Sequence, residues 1–211
     1  MLRSKPLFIT IEGIDGSGKS TQSERLAQWL TKSTGRQTIR TFEPGGYPCG
    51  QELRQFILES RNFSPLSELL MFLADRAEHV DKVIAPALLA GQNVICERWN
   101  ESTLAYQSGG HKIDITEAQN LIAACKFPEP DAKILLDISP ELAVARILER
   151  KKLDKFESEG LALMRRVADF YRTLAEAGQL TRIECSTLNE DEVFSALTAE
   201  LERQAALCPY K

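Results

Sequence analysis

Aromatic residues, histidines and excess charge of either sign are all scarce in this sequence. Its 211 residues include 7% aromatics, two histidines and five cysteines, and the formal net charge is -4 at pH 7. No Cys-x-x-Cys pair occurs, which argues against a structural zinc site, and the scattered cysteines indicate reduced thiols. No apolar run reaches the ~18 residues of a membrane span. We therefore expect a cytoplasmic protein with no membrane or nucleic-acid partner, whose anionic ligands are bound by local lysines and arginines.

The order of apolar and helical segments predicts the fold class. The length favours a single domain over 1–211, and β-rich apolar runs alternate with helical patterns throughout. This alternation predicts an α/β fold, with a five-stranded parallel sheet, helices on both faces, and ligands at the carboxyl ends of the strands. The predicted strands are 7–12, 38–42, 93–96, 133–138 and 180–184. The main predicted helices are 19–31, 50–59, 66–89 (bent before Pro86), 116–125 (with Thr116 as N-cap), 155–176 and 191–204.

A phosphate-binding loop is the most specific motif. The segment 13–20 reads Gly-Ile-Asp-Gly-Ser-Gly-Lys-Ser, between a predicted strand and an amphipathic helix. Its glycines allow backbone N–H groups to surround an anion, Lys19 brings a charge to the β- and γ-phosphates, and Ser20 can ligate Mg²⁺. The residues predicted to bind ATP and its phosphates are Gly13, Asp15, Gly16, Ser17, Gly18, Lys19, Ser20 and Thr21.

Regulatory GTPases share this loop and form a competing class. They typically also carry an Asn-Lys-x-Asp motif that reads guanine, and no such run occurs here. The sequence therefore favours an enzyme that phosphorylates a small acceptor.

Three further segments carry polar residues at strand ends or on one helix face. The segment 42–46 forms a Pro-Gly-Gly turn after the second strand, with Arg54 eight residues beyond it. Phe72 and Arg76 are four apart and share a helix face, where a ring can stack on a flat base and a guanidinium can donate to a carbonyl. The third segment, 97–107, begins with Glu-Arg directly after a buried strand, at the end that faces the ligand crevice.

Together these motifs resemble the thymidylate kinase family, over about 8–186 of the chain. The matching residues are Glu43 to Gly46, Leu53, Arg54, the stretch 68–76, Arg98, Ser102, Ala105, Tyr106, Gln107, Arg146, Arg150, Asp154 and Glu157. The chain departs from the family pattern at Phe42 and Tyr47, where Arg and Thr are usual, and at Glu97 and Trp99, where Asp and Tyr are usual.

The resemblance implies roles for individual residues. Arg54 would clamp the acceptor phosphate, Arg98 would bridge the donor and acceptor phosphates, and Tyr106 would pack beneath the sugar. The implied dTMP-binding set is Asp15, Glu43, Pro44, Arg54, Phe72, Arg76, Arg98, Ser102, Thr103, Tyr106 and Gln107. The implied catalytic residues are Lys19, Glu97, Arg98 and Arg150. Mg²⁺ would be held, directly or through water, by Ser20, Asp15 and Glu97.

The resemblance also places a mobile lid at about 146–157. Some family members carry an arginine in the phosphate loop and others carry it in the lid. Because Gly16 occupies the loop position here, the lid is expected to supply the charge. Its cationic residues are Arg146, Arg150, Lys151, Lys152 and Lys155.

The implied reaction is transfer of the γ-phosphoryl group of ATP to dTMP, with Mg²⁺, by a homodimer. The four departures keep open a divergent kinase of the same fold that acts on another nucleotide or small acceptor. A non-catalytic nucleotide-binding regulator is the other alternative.

Overall fold

A five-stranded parallel sheet forms the centre of the molecule, which confirms the predicted fold class. The computed structural model describes residues 5–59, 63–111, 113–150 and 158–207. The strand order is β2-β3-β1-β4-β5, and every pairing is parallel. The strands are β1 (Phe8–Glu12), β2 (Thr38–Phe42), β3 (Asn93–Glu97), β4 (Ala132–Asp137) and β5 (Thr181–Glu184).

Helices and two π-helical segments connect the strands. The first five helices are α1 (Lys19–Thr34), α2 (Gly50–Glu59), α3 (Pro65–His79), α4 (Ala85–Leu89) and α5 (Asn100–Thr103). The other four are α6 (Ile115–Cys125), α7 (Pro140–Arg150), α8 (Ser158–Glu176) and α9 (Glu190–Leu207). The π-helical segments are Val80–Ile84, between α3 and α4, and Leu104–Gly110, after α5.

Side chains of the three inner strands β1, β3 and β4 are mostly buried on both faces of the sheet, as expected for the centre of a parallel sheet covered by helices. Ile9 and Ile11 of β1 pack in one cluster with Leu26 of α1 and Leu197 of α9. Side chains of alternate strand positions point to the opposite face, where Leu135 of β4 belongs to a cluster that includes α3 and α8. Helices on both sides therefore hold the strand ends in fixed positions.

The predicted helix 66–89 is divided in the structure. Its π-helical segment ends two residues before Pro86, which has no N–H to donate to the preceding turn. The predicted N-cap Thr116 is wrong, because Asp114 caps α6 by accepting from the N–H groups of Thr116 and Glu117. The segment Leu104–Gly110 was not predicted. An added Cβ at Gly109 would lie 2.6 Å from Cβ of Phe170, so this segment packs closely on α8.

The carboxyl ends of the three strands β1, β2 and β3 meet at one edge of the sheet. Ile11 of β1 and Phe42 of β2 both pair with Glu97 of β3. The segments that follow these strands therefore start close together. Among the described residues, no helix combines the length and the apolar composition that crossing a bilayer requires.

Candidate active site

The loop between β1 and α1 has the backbone that its glycines permit. Gly18 adopts φ 91° and caps α1, and Gly16 adopts φ 84°. An added Cβ at Gly16 would lie 2.6 Å from the carbonyl oxygen of Ala143, so α7 packs directly on the loop. The first turn of α1 adds N–H donors and a positive dipole end, which suits a phosphate.

Lys19 points back into the loop and is almost fully buried. Its Nζ donates to the carbonyl oxygens of Gly13 and Ile14, each at 2.9 Å. Burial, followed by the nearby charge of Arg98, lowers the pKa of Lys19 to about 7 from its ordinary 10.5. An anion beside this ammonium would favour its charged form, so phosphate binding and protonation of Lys19 support each other.

Glu97 is fixed by two hydroxyl groups of α1. Ser20 Oγ donates to Oε2 of Glu97 at 2.7 Å, and Ser23 Oγ donates to Oε1 at 2.6 Å. The longer side chain, where the family usually has Asp, therefore reaches the first turn of α1. This contact brings a carboxylate next to the hydroxyl of the phosphate loop.

Arg98 follows Glu97 with a positive φ of 71° and connects the loop to the segment Leu104–Gly110. Its Nη2 donates to Oδ1 of Asp15 at 2.6 Å and to the hydroxyl of Tyr106 at 3.2 Å. The guanidinium also lies 4.9 Å from the centre of the Tyr106 ring. The charge of Arg98 lowers the pKa of Asp15, so this carboxylate stays ionised.

Glu12, the last residue of β1, supports the turn that presents Arg98. It is fully buried, and it accepts from the N–H of Trp99 at 2.7 Å and from the hydroxyl of Tyr171 at 3.0 Å. It also accepts from Ser102, which places that hydroxyl beside Arg98. Burial, and then the charge of Glu101, raise the pKa of Glu12.

Arg76 of α3 is held at the other end of the cleft by four hydrogen bonds. Its Nε donates to Glu43 at 2.7 Å, and Nη1 donates to Asn100 at 2.9 Å. Its Nη2 donates to the carbonyl of Trp99 at 3.1 Å and to Thr103 at 2.9 Å. The guanidinium is buried and cannot turn, and these bonds use four of its five N–H groups.

The Pro-Gly-Gly turn is attached to α3 and α2. Both carboxylate oxygens of Asp75 accept from the N–H of Gly45, at 3.0 and 3.1 Å. Arg54 of α2 donates through Nη1 to the carbonyl of Pro44 at 2.8 Å. His79 forms a hydrogen bond with Glu43 through Nδ1 at 2.9 Å. The hydrogen bond to the turn therefore holds the side chain of Arg54 in a defined position.

The residues that depart from the family pattern each make defined contacts in the structure. The Arg54 guanidinium lies 5.6 Å from the centre of the Phe42 ring. Tyr47 stacks near His79, with ring centres 6.3 Å apart. Trp99 is fully buried and meets Phe8 edge to face at 5.1 Å. Glu97 is the fourth departure, and its contacts with α1 are described above.

One cleft of about 570 Å³ contains most of the predicted site residues. The predicted residues that line it are Asp15, Gly16, Gly18, Lys19, Ser20, Thr21, Glu43, Pro44, Arg54, Phe72, Arg76, Glu97, Arg98, Ser102, Thr103, Tyr106 and Gln107. Gly13 and Ser17 belong to the same loop but are not part of the lining. Arg40, Phe42, Leu58 and Glu68 also line the cleft, and none of them was among the predicted site residues.

The predicted lid is described only at its start. Arg146 of α7 donates through Nη1 to the carbonyl of Gly16 at 3.4 Å, so it already reaches the phosphate loop. Arg150 is the last residue of α7. Lys151, Lys152 and Lys155 lie outside the described residues, and their roles remain predictions.

Several residues that support the site were not predicted from the sequence, among them Glu12, Asn100 and Tyr171. A signal for Glu12 was present, because a carboxylate that ends a buried strand needs partners. Asn100 and Tyr171 gave no such signal, because their contacts join segments that are far apart in the sequence.

The phosphate loop lies between a strand and a helix, and Arg54 and Arg98 line the same cleft. This combination defines a P-loop phosphotransferase. The family model described as Thymidylate kinase matches residues 11–196. A thymidylate kinase of Synechococcus sp. is 41% identical over 213 residues, covering 96% of this chain and 98% of the relative. A thymidylate kinase of Solidesulfovibrio magneticus is 43% identical over 181 residues, covering 81% and 86%.

A solved structure gives the same result. The crystal structure of thymidylate kinase from Ehrlichia chaffeensis superposes with a TM-score of 0.76 at 30% identity, covering 94% of this chain and 99% of that one. The chain belongs to the thymidylate kinase family. These comparisons do not favour the alternatives of a divergent kinase or a non-catalytic regulator.

Proposed function

We propose that this protein transfers the γ-phosphoryl group of ATP to dTMP, giving ADP and dTDP. One observation carries the proposal: a single cleft holds the phosphate loop at one end and the Phe72–Arg76 face of α3 at the other. Arg98 lies in the same cleft and contacts both Asp15 of the loop and Tyr106. Two nucleotides bound from opposite ends would bring their phosphates together at Arg98.

The base end has the hydrogen-bonding pattern of a thymine site. One N–H on Nη1 of Arg76 is not used by the described residues and can donate to the C4 carbonyl of the base. Gln107 supplies an acceptor for the neighbouring N3–H, and the Phe72 ring offers a surface for stacking. Cytosine has an amino group at C4 and no hydrogen on N3, so both contacts would fail.

The chemical step needs positioning and charge neutralisation more than a base. The dTMP phosphate is an anionic nucleophile near neutral pH, and the main obstacle is repulsion between two polyanions. Lys19, Arg54 and Arg98 offset this repulsion and align the attacking oxygen with the γ-phosphorus. Arg146 and the predicted lid cations would add charge from the other side and exclude water, which limits ATP hydrolysis.

Residues of the phosphate loop and the end of β3 also fit Mg²⁺. Ser20, Glu97 and Asp15 offer the hydroxyl and carboxylate oxygens that this hard cation prefers, and Ser20 Oγ lies 2.7 Å from Glu97. When bound, Mg²⁺ would neutralise charge on the β- and γ-phosphates. Ser20 would hold it directly, and the two carboxylates would orient its ligands.

Product analysis tests the proposed reaction. Incubation with ATP, Mg²⁺ and dTMP should give equal amounts of ADP and dTDP. Release of inorganic phosphate without dTDP would contradict the transfer reaction.

We further propose a cytoplasmic homodimer that has neither a nucleic acid nor a membrane as a partner. The support for a dimer is a group of apolar side chains on α2 and α3, where Phe56, Leu66 and Leu70 are between 42% and 53% exposed. Exposed apolar side chains in such number on adjacent helices favour contact with a second copy. Light scattering of the purified protein would give twice the monomer mass, and a monomer mass would contradict the dimer.

A further inference from the structure

The side-chain amide of Gln107 has a hydrogen-bond partner, among the described residues, at its nitrogen but not at its oxygen. Its Nε2 donates to Oε1 of Glu68 at 3.3 Å. Its Oε1 is buried and accepts no hydrogen bond from the described residues. A buried acceptor without a donor is unfavourable, so this oxygen is where a donor from a bound ligand would be stabilising.

The carboxylate of Glu68 determines which way the side-chain amide of Gln107 points. A carboxylate oxygen accepts hydrogen bonds, so only the NH₂ end of Gln107 can face it. Reversing the amide would bring its carbonyl oxygen against the carboxylate of Glu68, which places two acceptors together. Glu68 thus keeps Oε1 of Gln107 as the acceptor that remains for the ligand.

Glu68 is well placed to couple this orientation to base recognition. It lies in α3 four residues before Phe72 and eight before Arg76, so all three side chains share one face of the helix. All three, together with Gln107, line the same cleft. A single helix face therefore carries the stacking ring, the donor to the base and the residue that orients the acceptor.

We infer that Glu68 is a positioning residue that sets the specificity for the base by fixing the amide of Gln107. The inference rests on the proposed function, in which the base lies beside Phe72 and Arg76. With Oε1 available, the site accepts the N3–H of thymine. With the amide free to reverse, Nε2 could donate to the bare N3 of cytosine, and the site would lose part of its discrimination.

A simpler role for Glu68 makes a different prediction. Acidic residues in the first turn of a helix are stabilised by the helix dipole, and Glu68 lies in the first turn of α3. If this were its only role, removing the charge would lower the thermal stability. It would not change the ratio of activities toward two nucleotides, because that ratio is measured on the same folded protein.

The variant Glu68→Gln tests the inference, because its amide has nearly the same shape and can accept or donate. The ratio of kcat/KM for dTMP to that for dCMP is expected to fall about tenfold, mainly through the two KM values, as the loss of one hydrogen-bond preference implies. Glu78→Gln is the matched control, since Glu78 is on the same helix and exposed. It should leave the ratio unchanged.

The outcomes separate the inference from the function on which it rests. If the wild-type protein does not prefer dTMP over dCMP, the proposed function itself fails. If the wild type prefers dTMP and Glu68→Gln keeps the same ratio, the inference is overturned and the function stands. Glu68→Ala provides a second test, because it also frees the amide, and its ratio should fall in the same direction.

Discussion

At the scale of single residues, the charged side chains of the cleft have defined partners within the chain. Lys19 bonds two loop carbonyls, Glu97 bonds two serines of α1, and Arg98 bonds Asp15 and Tyr106. Groups held in this way need little reorganisation when charge develops in a transition state, which is the main source of electrostatic catalysis. Substitutions at these positions should therefore change turnover more than stability.

The first prediction concerns Lys19→Ala. Removing one electrostatic donor to the transferred phosphoryl group costs on the order of 3 kcal/mol, so kcat should fall about 100-fold or more. Lys32→Ala, at the exposed end of α1, is the control. Steady-state assays with circular dichroism melts check the outcome. A folded Lys19→Ala protein with wild-type turnover would show that the phosphate site is wrongly assigned.

The second prediction concerns Glu97→Asp. The shorter carboxylate cannot reach both Ser20 and Ser23 from the same backbone position, and a group that orients a metal must be placed within about 0.5 Å. We expect a roughly tenfold loss of kcat and a higher Mg²⁺ requirement, with the KM for dTMP nearly unchanged. A Mg²⁺ titration at saturating ATP measures both effects. Equal or faster turnover by the aspartate variant would mean that Glu97 is not fitted to the metal.

At the scale of elements, α3 and the turn after β2 form one unit. Asp75 holds the N–H of Gly45, and Glu43 holds Arg76 and His79. The turn also accepts a hydrogen bond from Arg54 of α2, so the residues proposed to bind the acceptor phosphate and the base are joined through this turn. A change in one of these buried carboxylates should affect the stability of the whole unit.

The third prediction follows from the pKa of Asp75. Burial raises this pKa to about 6, with Glu43 adding to the effect, from an ordinary value of 3.8. Between these pH values the folded protein binds the proton more tightly than the unfolded chain. The contribution of Asp75 to stability is therefore full below the lower value and is lost as the pH rises through about 6.

Asp75→Asn removes this pH dependence while keeping an acceptor for Gly45. We expect the variant to lose less stability than the wild type as the pH rises from about 4 to 6, and Asp81→Asn, an exposed control, to behave as the wild type. Urea unfolding across this pH range measures the effect. An Asp75→Asn protein with the wild-type slope would show that Asp75 does not titrate in this window.

Much of the architecture at this scale could be predicted from the sequence. Strand β2 and helix α2 have the predicted bounds, because alternating or helical apolar periodicity defines them. The phosphate loop was predictable because its glycines and lysine act locally. The segment Leu104–Gly110 was not, because its π-helical shape depends on packing against α8, which begins some 50 residues later in the sequence. The contact between Glu68 and Gln107 could not be predicted for the same reason, because Gln107 belongs to this segment.

At the scale of the whole molecule, the cleft exists because three parallel strands end at one edge of the sheet. Glu12, Phe42 and Glu97 end β1, β2 and β3, and each is followed by a segment that lines the cleft. The phosphate loop, the Pro-Gly-Gly turn and the Glu-Arg-Trp segment are distant in sequence and are brought together by the strand order β2-β3-β1. Because each motif follows a predicted strand of a parallel sheet, the sequence predicts that the motifs meet at one edge of the sheet. The hydrogen bonds between them are seen only in the structure.

The specificity of the wild-type protein tests the central claim most directly. The measurement is kcat/KM with ATP and Mg²⁺ for dTMP, dCMP, dGMP and dAMP under one set of conditions. Because Arg76 and Gln107 match the C4 carbonyl and N3–H of thymine, dTMP should be preferred by about 100-fold or more over dCMP and dAMP, whose bases lack this pair of groups. Guanine also has a carbonyl next to an N–H, so dGMP should be disfavoured because a purine is larger than thymine. An equal or higher value for a purine monophosphate, or for dCMP, would contradict the assignment of this cleft as a dTMP site.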